Sequence, residues 1–473
     1  MAPPEAEVVQ PEVRLFTKTR IQELVQKGDV LIIYRGNVYR LNHWLSKHPG
    51  GDLVIRHLNG RDATDQMICF HPESVTNKLI NYFYVGKYVD ELRPATDIEW
   101  EIPKKNEQKE EEMRDLISAK YLELEEEVKR RGLYDCNYWN YARESVRYIL
   151  FLTTSILLIL YGRSTWHYLL SAVCMGMFWQ QLAFTAHDAG HNGITHIRTI
   201  DHLIGIFIAA FCGGLSEGWW KKNHYVHHVV TNSPEDDPDI QHLPFFAITA
   251  KFAENLQSSY YGITLHFDAF ARFFIKRQHY LYYIILSFGR FNLYALSIGF
   301  LLKEPRVRFR WVELMGILFF IIWLSTLLSY LPSWPQRLLW IYISHVTTVL
   351  LHVQITLSHF GMPAVGAGER EAFASHMLRT SMDVDCPEWL DWFHGGLQFQ
   401  TVHHLLPRVP RHNLRACQPF VRKFCNELGL TYHIHSFTKG NGIVLGVLKE
   451  VADQIQLMEE CAKHNAKQGL KAH

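Results

Sequence analysis

His224-Tyr225-Val226-His227-His228 is the stretch on which the reading of this 473-residue chain turns. Its imidazoles stand at i, i+3 and i+4, and on an α-helix these positions share one face. Neutral imidazole binds iron, zinc, copper and nickel. Two further stretches carry related spacings. His187-Asp188-Ala189-Gly190-His191 puts two histidines one helical turn apart, and Gln400-Thr401-Val402-His403-His404 repeats the pattern with Gln in the first place. All three lie close to long apolar runs. A single cluster is explained as well by core histidines that are simply hydrogen-bonded. Three clusters with ligand spacing predict a polynuclear, histidine-rich metal site at a membrane surface.

The totals point the same way. Hydrophobic residues make up 48% and aromatics 13%, which fits a membrane enzyme with soluble parts. A formal net charge of +1 gives no global field to draw nucleic acid, and none is expected as a partner. The 27 histidines are about twice an ordinary share and direct attention to metal and haem. The eight cysteines are scattered, with no C-x-x-C, so a zinc ribbon or disulfide scaffold is not expected. Residues 1–13 are acidic and Pro-rich and lack the basic and apolar parts of a cleavable signal. Insertion by an internal span is the expectation.

Residues 14–90 read as a small α+β domain. Thr17 caps a short helix to Gln26. Val30–Tyr34 is a β-rich run, Arg35-Gly36-Asn37 a turn, and Val38–Leu41 the return strand. Then comes Trp44-Leu45-Ser46-Lys47-His48-Pro49-Gly50-Gly51-Asp52. Here the chain resembles cytochrome b5, whose His-Pro-Gly-Gly motif stands as His48 to Gly51. The resemblance implies a haem b domain with His48 and His71 as axial ligands. His43 and His57 compete and are read as surface or packing residues. Two imidazoles leave the haem iron no open position, which suits electron transfer rather than oxygen activation.

Residues 91–140 are charge-rich and read as a linker. Within them 110–131 has the pattern of a solvated helix with a weak apolar stripe of Leu116, Ile117, Tyr121, Leu122 and Leu124. Residues 141–440 read as a membrane body and 441–473 as a C-terminal tail. In the body Tyr148–Gly162 with Tyr168–Ala186, and Leu314–Leu331 with Leu338–Leu357, form two hairpins through the bilayer. The runs Leu203–Leu215 and Leu281–Leu302 read as interfacial. A crossing at the latter would put Lys303, Arg306, Arg308 and Arg310 in the lumen, against the positive-inside tendency. Four crossings leave both termini and all three clusters cytosolic. His345, His352 and His359 recur every seven residues on the last span. His359, nearest the cytosol, is the candidate ligand, and the other two are expected to be hydrogen-bonded within the bundle.

The body resembles the membrane-bound histidine-box desaturases of fatty-acyl and sphingolipid chains. With the fused b5 domain and Gln400 it is similar to their front-end branch, over nearly all of residues 14–440. The fold this implies is an α+β cytochrome b5-like domain followed by an all-α membrane domain of four transmembrane helices plus interfacial helices. The family implies a di-iron centre held by His187, His191, His224, His227, His228, His403 and His404. His359 stands where the family has an extra ligand, and Gln400 is a weak or water-mediated one. Gly218–His224, Thr231–Pro234, Asp237–Pro244, Asp385–Asp391 and Gly395–Phe399 resemble the sphingolipid Δ8-desaturases of fungi and plants. Tyr225 and Asp236 depart from that branch, which often has Asn and His there.

The resemblance implies a double bond introduced at C8 of the sphingoid base of ceramide or another sphingolipid. O2 would be the oxidant, with NADH, through NADH-cytochrome b5 reductase, and the b5 domain supplying electrons at the endoplasmic reticulum bilayer. The chemistry agrees, because an unactivated methylene is beyond side-chain acid–base catalysis and needs a metal–oxygen oxidant. Asp188, Asp237 and Asp239 are the nearest acids able to orient imidazoles; the alternative for 235–239 is an exposed turn after Ser233 and Pro234. Rival readings are an acyl-lipid Δ6 or Δ5 desaturase, a b5-fused lipid hydroxylase, and a membrane-anchored haem electron carrier.

Overall fold

A computed structural model describes residues 14–89, 105–366, 368 and 371–467. The chain divides into two compact units, meeting in sequence at Glu112 and Met113.

In the first unit β1 (Leu15–Phe16), β2 (Leu31–Tyr34), β3 (Asn37–Arg40) and β4 (Tyr84–Tyr88) form a mixed sheet in the order β1-β4-β3-β2. The β2–β3 hairpin pairs Ile33 with Val38. Its turn places Arg35 and Gly36 at positive φ, the left-handed conformation that tight hairpins need. Thr17 caps α1 (Lys18–Gln26) by accepting from the Arg20 amide at 3.2 Å. Phe16, Ile21, Leu31, Ile33 and Val38 close the core between helix and sheet.

The second unit is helical apart from two short strand pairs, β5 (Leu256–Gln257) with β6 (Thr264–Leu265) and β7 (Asp383–Asp385) with β8 (Ile434–Ser436). Four helical stretches have the length and hydropathy to cross a bilayer: Tyr138–Tyr161, Thr165–Gly190, Arg310–Ser329 and Trp334–Phe360. They are the two hairpins expected from the sequence. The helices after α1 that matter here are α2 (Thr64–Phe70), α3 (Lys105–Arg130), α4 (Tyr138–Tyr161), α5 (Thr165–Gly190), α6 (Arg198–Ile206) and α7 (Glu217–Val230). They are followed by α8 (Gln278–Leu286), α9 (Gly289–Lys303), α10 (Arg310–Ser329), α11 (Trp334–Thr347) and α12 (Val349–Phe360). The series ends with α13 (Phe373–Thr380), α14 (Gln400–Leu405), α15 (Leu414–Leu428) and α16 (Phe437–Lys467). The last span breaks at Thr348, between α11 and α12.

The two ambiguous apolar runs fall in bent helix pairs. The Arg198–Cys212 segment meets α7 at 119°, and α8 meets α9 at 66°. Neither pair is straight, and α8 and α9, at 9 and 15 residues, are each shorter than the ~20 residues a straight span needs.

Two expectations change. The charged helix α3 is not solvated all round: Ile117, Tyr121, Leu124 and Val128 are buried, Tyr121 OH donates to the Leu405 carbonyl at 2.8 Å, and Leu116 faces outward. Residues 91–104 of that linker lie outside the described residues. The tail expected from residue 441 is instead, as far as Lys467, most of α16. Its Val444, Leu448, Val451 and Ile455 recur at helical spacing and join a core with Tyr282, Val353 and Leu357.

Candidate metal centre

His187–His191, box one, closes the end of α5, and His224–His228, box two, lies in the second half of α7. Ser216 caps α7, accepting from the Trp219 amide at 3.0 Å. Box three is α14, a short helix held from outside. The Thr401 amide donates to Asp383 Oδ1 at 2.8 Å, and Gln418 Nε2 at 3.1 Å and the Tyr432 hydroxyl donate to its other oxygen. That carboxylate satisfies an amide that a helix start leaves without a partner. Burial pushes the Asp383 carboxyl up to about 6 against those hydrogen bonds.

The boxes converge on two groups of imidazoles. His187, His191, His224 and His403 offer nitrogens within 4.8 Å of one another, and so do His227, His359 and His404. His228 stands between them. Its Nε2 is 3.0 Å from that of His224 and 3.2 Å from that of His403, and its ring stacks on His404 at 4.2 Å. Two nitrogens bound at right angles to one ion, each at about 2.1 Å, lie about 3 Å apart, so these separations suit ligands of a shared ion. His191 Nε2 is buried with no hydrogen-bond partner, an arrangement a metal relieves. Gln400 is buried one turn before His403 and His404.

Burial, reinforced by neighbouring imidazoles, holds His191, His228, His403 and His404 far below the usual histidine range, and burial takes His224 down to about 3. Neutral rings with open nitrogens are the form metals bind. His227 differs. Burial pulls it down, but Asp237 and Asp239 prevail and lift it to about 9. His227 Nδ1 lies 2.9 Å from Asp237 Oδ2, which fixes the tautomer and leaves Nε2 for the second group. Asp239 lies 3.9 Å from His224 Nδ1 and 3.7 Å from His227 Nδ1. Residues 235–239 do turn, with the Asp237 amide donating to the Ser233 carbonyl at 2.9 Å, but not as the exposed turn that is the alternative to a role in orienting imidazoles. Asp237 is fully buried.

Several supports escaped the sequence reading. Arg411 pairs with Asp188 of α5 and Glu144 of α4, and the Tyr141 hydroxyl also donates to Asp188. Asn232 Nδ2 donates to the His359 carbonyl at 2.9 Å. His404 Nδ1 lies 3.3 Å from Thr231 Oγ1, and His376 Nε2 lies 2.9 Å from the Thr231 carbonyl. These partners are far apart in sequence, so no spacing announces them. Gly190 is required by contact: a Cβ there would lie 2.0 Å from the Trp220 ring. Tyr225, the departure in box two, donates its hydroxyl to the Gly190 carbonyl and ties α7 to the end of α5. On the last span His345 is hydrogen-bonded as expected, to the Ile341 carbonyl at 2.7 Å and to Tyr294 at 3.2 Å. His352 departs from that expectation, since neither ring nitrogen has a hydrogen-bond partner; it packs against Gly289 instead.

In the first unit the His48 and His71 rings lie 6.0 Å apart, centre to centre. A metal–imidazole bond of about 2 Å on each side predicts about 6 Å, so the pair fits a haem iron between them. Gly51, at φ 89°, closes the turn that presents His48, and the His48 Nδ1 bond to the Gly51 carbonyl at 2.9 Å leaves Nε2 for the metal. His71 caps the end of α2, with Nδ1 3.3 Å from the Met67 carbonyl. His43 is exposed.

Comparison with known proteins matches both units. Residues 164–436 match the fatty acid desaturase family, and residues 17–89 the cytochrome b5-like heme/steroid binding domain. The chain is 41% identical to the Delta 8-(E)-sphingolipid desaturase of Emericella nidulans, over 96% of this chain and 98% of that one. It is 42% identical to that of Komagataella phaffii, over 94% and 95%. The acyl-lipid (9-3)-desaturase of Borago officinalis is 34% identical over 93% and 94%. The haem domain implies haem, the desaturase family implies iron, and the substrate is a lipid. The histidine boxes, the helical body and the b5-like unit lead to one conclusion: the chain belongs to the fatty acid desaturase family, with a cytochrome b5-like domain at its N-terminal side.

Proposed function

We propose that this desaturase introduces a double bond at C8 of the sphingoid base of ceramide or a related sphingolipid. The observation that carries the reading is the meeting of eight histidines from four segments in two adjoining groups. The near full-length identity to two fungal sphingolipid desaturases supports the substrate.

Seven box histidines, His187, His191, His224, His227, His228, His403 and His404, are the proposed iron ligands, joined by His359. Gln400 is a weak oxygen donor by its position. When bound, the two irons and O2 supply the oxidising power that an unactivated C–H bond demands. The chain's part is arrangement. Burial favours the neutral form of His191, His224, His228, His403 and His404. Asp237 holds the His227 ring, and Asp239 lies beside both His224 and His227. Arg411 neutralises Asp188 between the two box-one histidines. His48 and His71 are the proposed axial ligands of haem b, which passes electrons one at a time. NADH, through NADH-cytochrome b5 reductase, is the proposed source.

Residues 14–90 serve as the haem domain, 91–140 as the connection and 141–440 as the membrane body, to which α16 adds. The enzyme is placed in the endoplasmic reticulum bilayer with both termini and the boxes cytosolic, following the Lys303–Arg310 charges. Expression in a host without this unsaturation tests the substrate. Long-chain bases that lose two hydrogens, one from C8 and one from C9, support the reading. Polyunsaturated fatty acids with unchanged long-chain bases contradict it, and a gain of one oxygen marks a hydroxylase.

A further inference from the structure

Three residues of α12 carry buried polar atoms without a hydrogen-bond partner: both ring nitrogens of His352, Gln354 Oε1 and Ser358 Oγ. They divide between two faces. His352 packs against Gly289. Gln354 and Ser358 stand one helical turn apart on another side and are 3% and 0% exposed. The other end of the Gln354 amide lies 3.3 Å from His394 Nδ1. Exchanging the amide's oxygen and nitrogen leaves one end unpartnered all the same. A helical serine commonly turns its hydroxyl back onto the carbonyl one turn earlier. Thr356 does so, to His352 at 2.9 Å; Ser358 does not.

The pair borders the metal groups. Ser358 directly precedes His359, and its carbonyl accepts from the Met382 amide at 3.1 Å, one residue from the carboxylate that anchors α14. His394 follows Trp392 and Phe393, whose carbonyls accept from Gln181 and Gln180 of α5. Gln354 therefore stands where α12, α5 and the segment leading to box three meet.

We propose that Gln354 and Ser358 hold a hydroxyl group of the substrate chain, a few carbons from those that lose hydrogen. The chemistry selects a hydroxyl. It can donate to the amide oxygen while accepting from the serine. An ester carbonyl only accepts, so it serves both atoms only if the Gln354 amide is turned over, and an amide N–H has a single hydrogen to donate; a hydroxyl suits either orientation of the amide. A plain acyl chain leaves both orphaned, and a long-chain base with a hydroxyl near its head does not. The inference rests on the sphingolipid reading and makes this pair its selectivity filter.

The test offers the full-length enzyme ceramides of 4-hydroxysphinganine, sphinganine and 3-deoxysphinganine, which separates the two hydroxyl positions. The kcat/KM ratio between lipids is measured, together with binding of the same lipids by oxidised enzyme that has no electron donor. Wild type should favour the lipid bearing the recognised hydroxyl by about tenfold or more. Ser358→Ala and Gln354→Met should each move that ratio toward one, in turnover and in binding, with the haem spectrum and iron content unchanged. Ser358→Ala removes a single atom and stands alone should Gln354→Met fail to fold. A wild type that does not discriminate, or a Ser358→Ala variant that keeps the wild-type ratio, overturns the inference and leaves the two atoms to ordered water. An enzyme that desaturates none of the long-chain bases overturns instead the reading beneath it.

Discussion

His224 and His403 face the same proposed ion from different helices, and losing either should break the centre. His224→Ala or His403→Ala is expected to abolish desaturation and lower non-haem iron, while the haem absorption spectrum persists. His48→Ala should do the reverse: the haem spectrum disappears and turnover stalls until free cytochrome b5 is added. A subtler residue is Asp237. Replacing it with Asn keeps the size but weakens its hold on the His227 imidazole, and losses of this kind typically cost about 10–100-fold in metal affinity. Titrating iron into the stripped variant checks this. At this scale the sequence was informative wherever chemistry is periodic. Imidazoles at i, i+3 and i+4 are legible without a fold, and so is His48 beside Pro and two Gly. Arg411 was not, because its meaning comes from Asp188 and Glu144, which only folding brings to it.

Among the elements, α14 carries two of the eight histidines on six residues, too few for a helix to hold itself. Its anchor is Asp383. Asp383→Ala leaves the Thr401 amide without that partner, which should cost about 1–3 kcal/mol and loosen His403 and His404. Thermal unfolding and iron retention would read both effects. The pH dependence has a definite sign. Burial raises the folded pKa of Asp383 from 3.8 to about 6, so its contribution is full below the unfolded value and is lost as pH rises through the folded one. The stability advantage of wild type over Asp383→Asn should therefore shrink between about pH 4 and 6; an advantage that grows over that interval contradicts the assignment. The sequence marked β2, β3, α1 and the four apolar spans by their periods and caps. Its reading names Ile117, Tyr121 and Leu124 of α3 as an apolar stripe but has the helix solvated, and has most of α16 as a tail although Val444, Leu448, Val451 and Ile455 are buried. Ile117, Tyr121, Leu124 and Val128 share one face; their spacing is legible, but what covers that face comes from segments far along the chain, such as the Leu405 carbonyl that accepts from Tyr121.

At the scale of the whole molecule, a cytochrome b5-like unit and a desaturase body share one polypeptide, and a tether of this kind would give the proposed electron donor a roughly millimolar effective concentration at its proposed acceptor. Iron stoichiometry bears most directly on the central claim. Active enzyme, purified in detergent with its haem intact, should contain about three irons per chain, one in haem and two outside it. His224→Ala should lower the non-haem share while leaving one haem. Fully active enzyme with a single iron per haem would contradict the account, because the converging histidines would then hold no metal that the reaction needs.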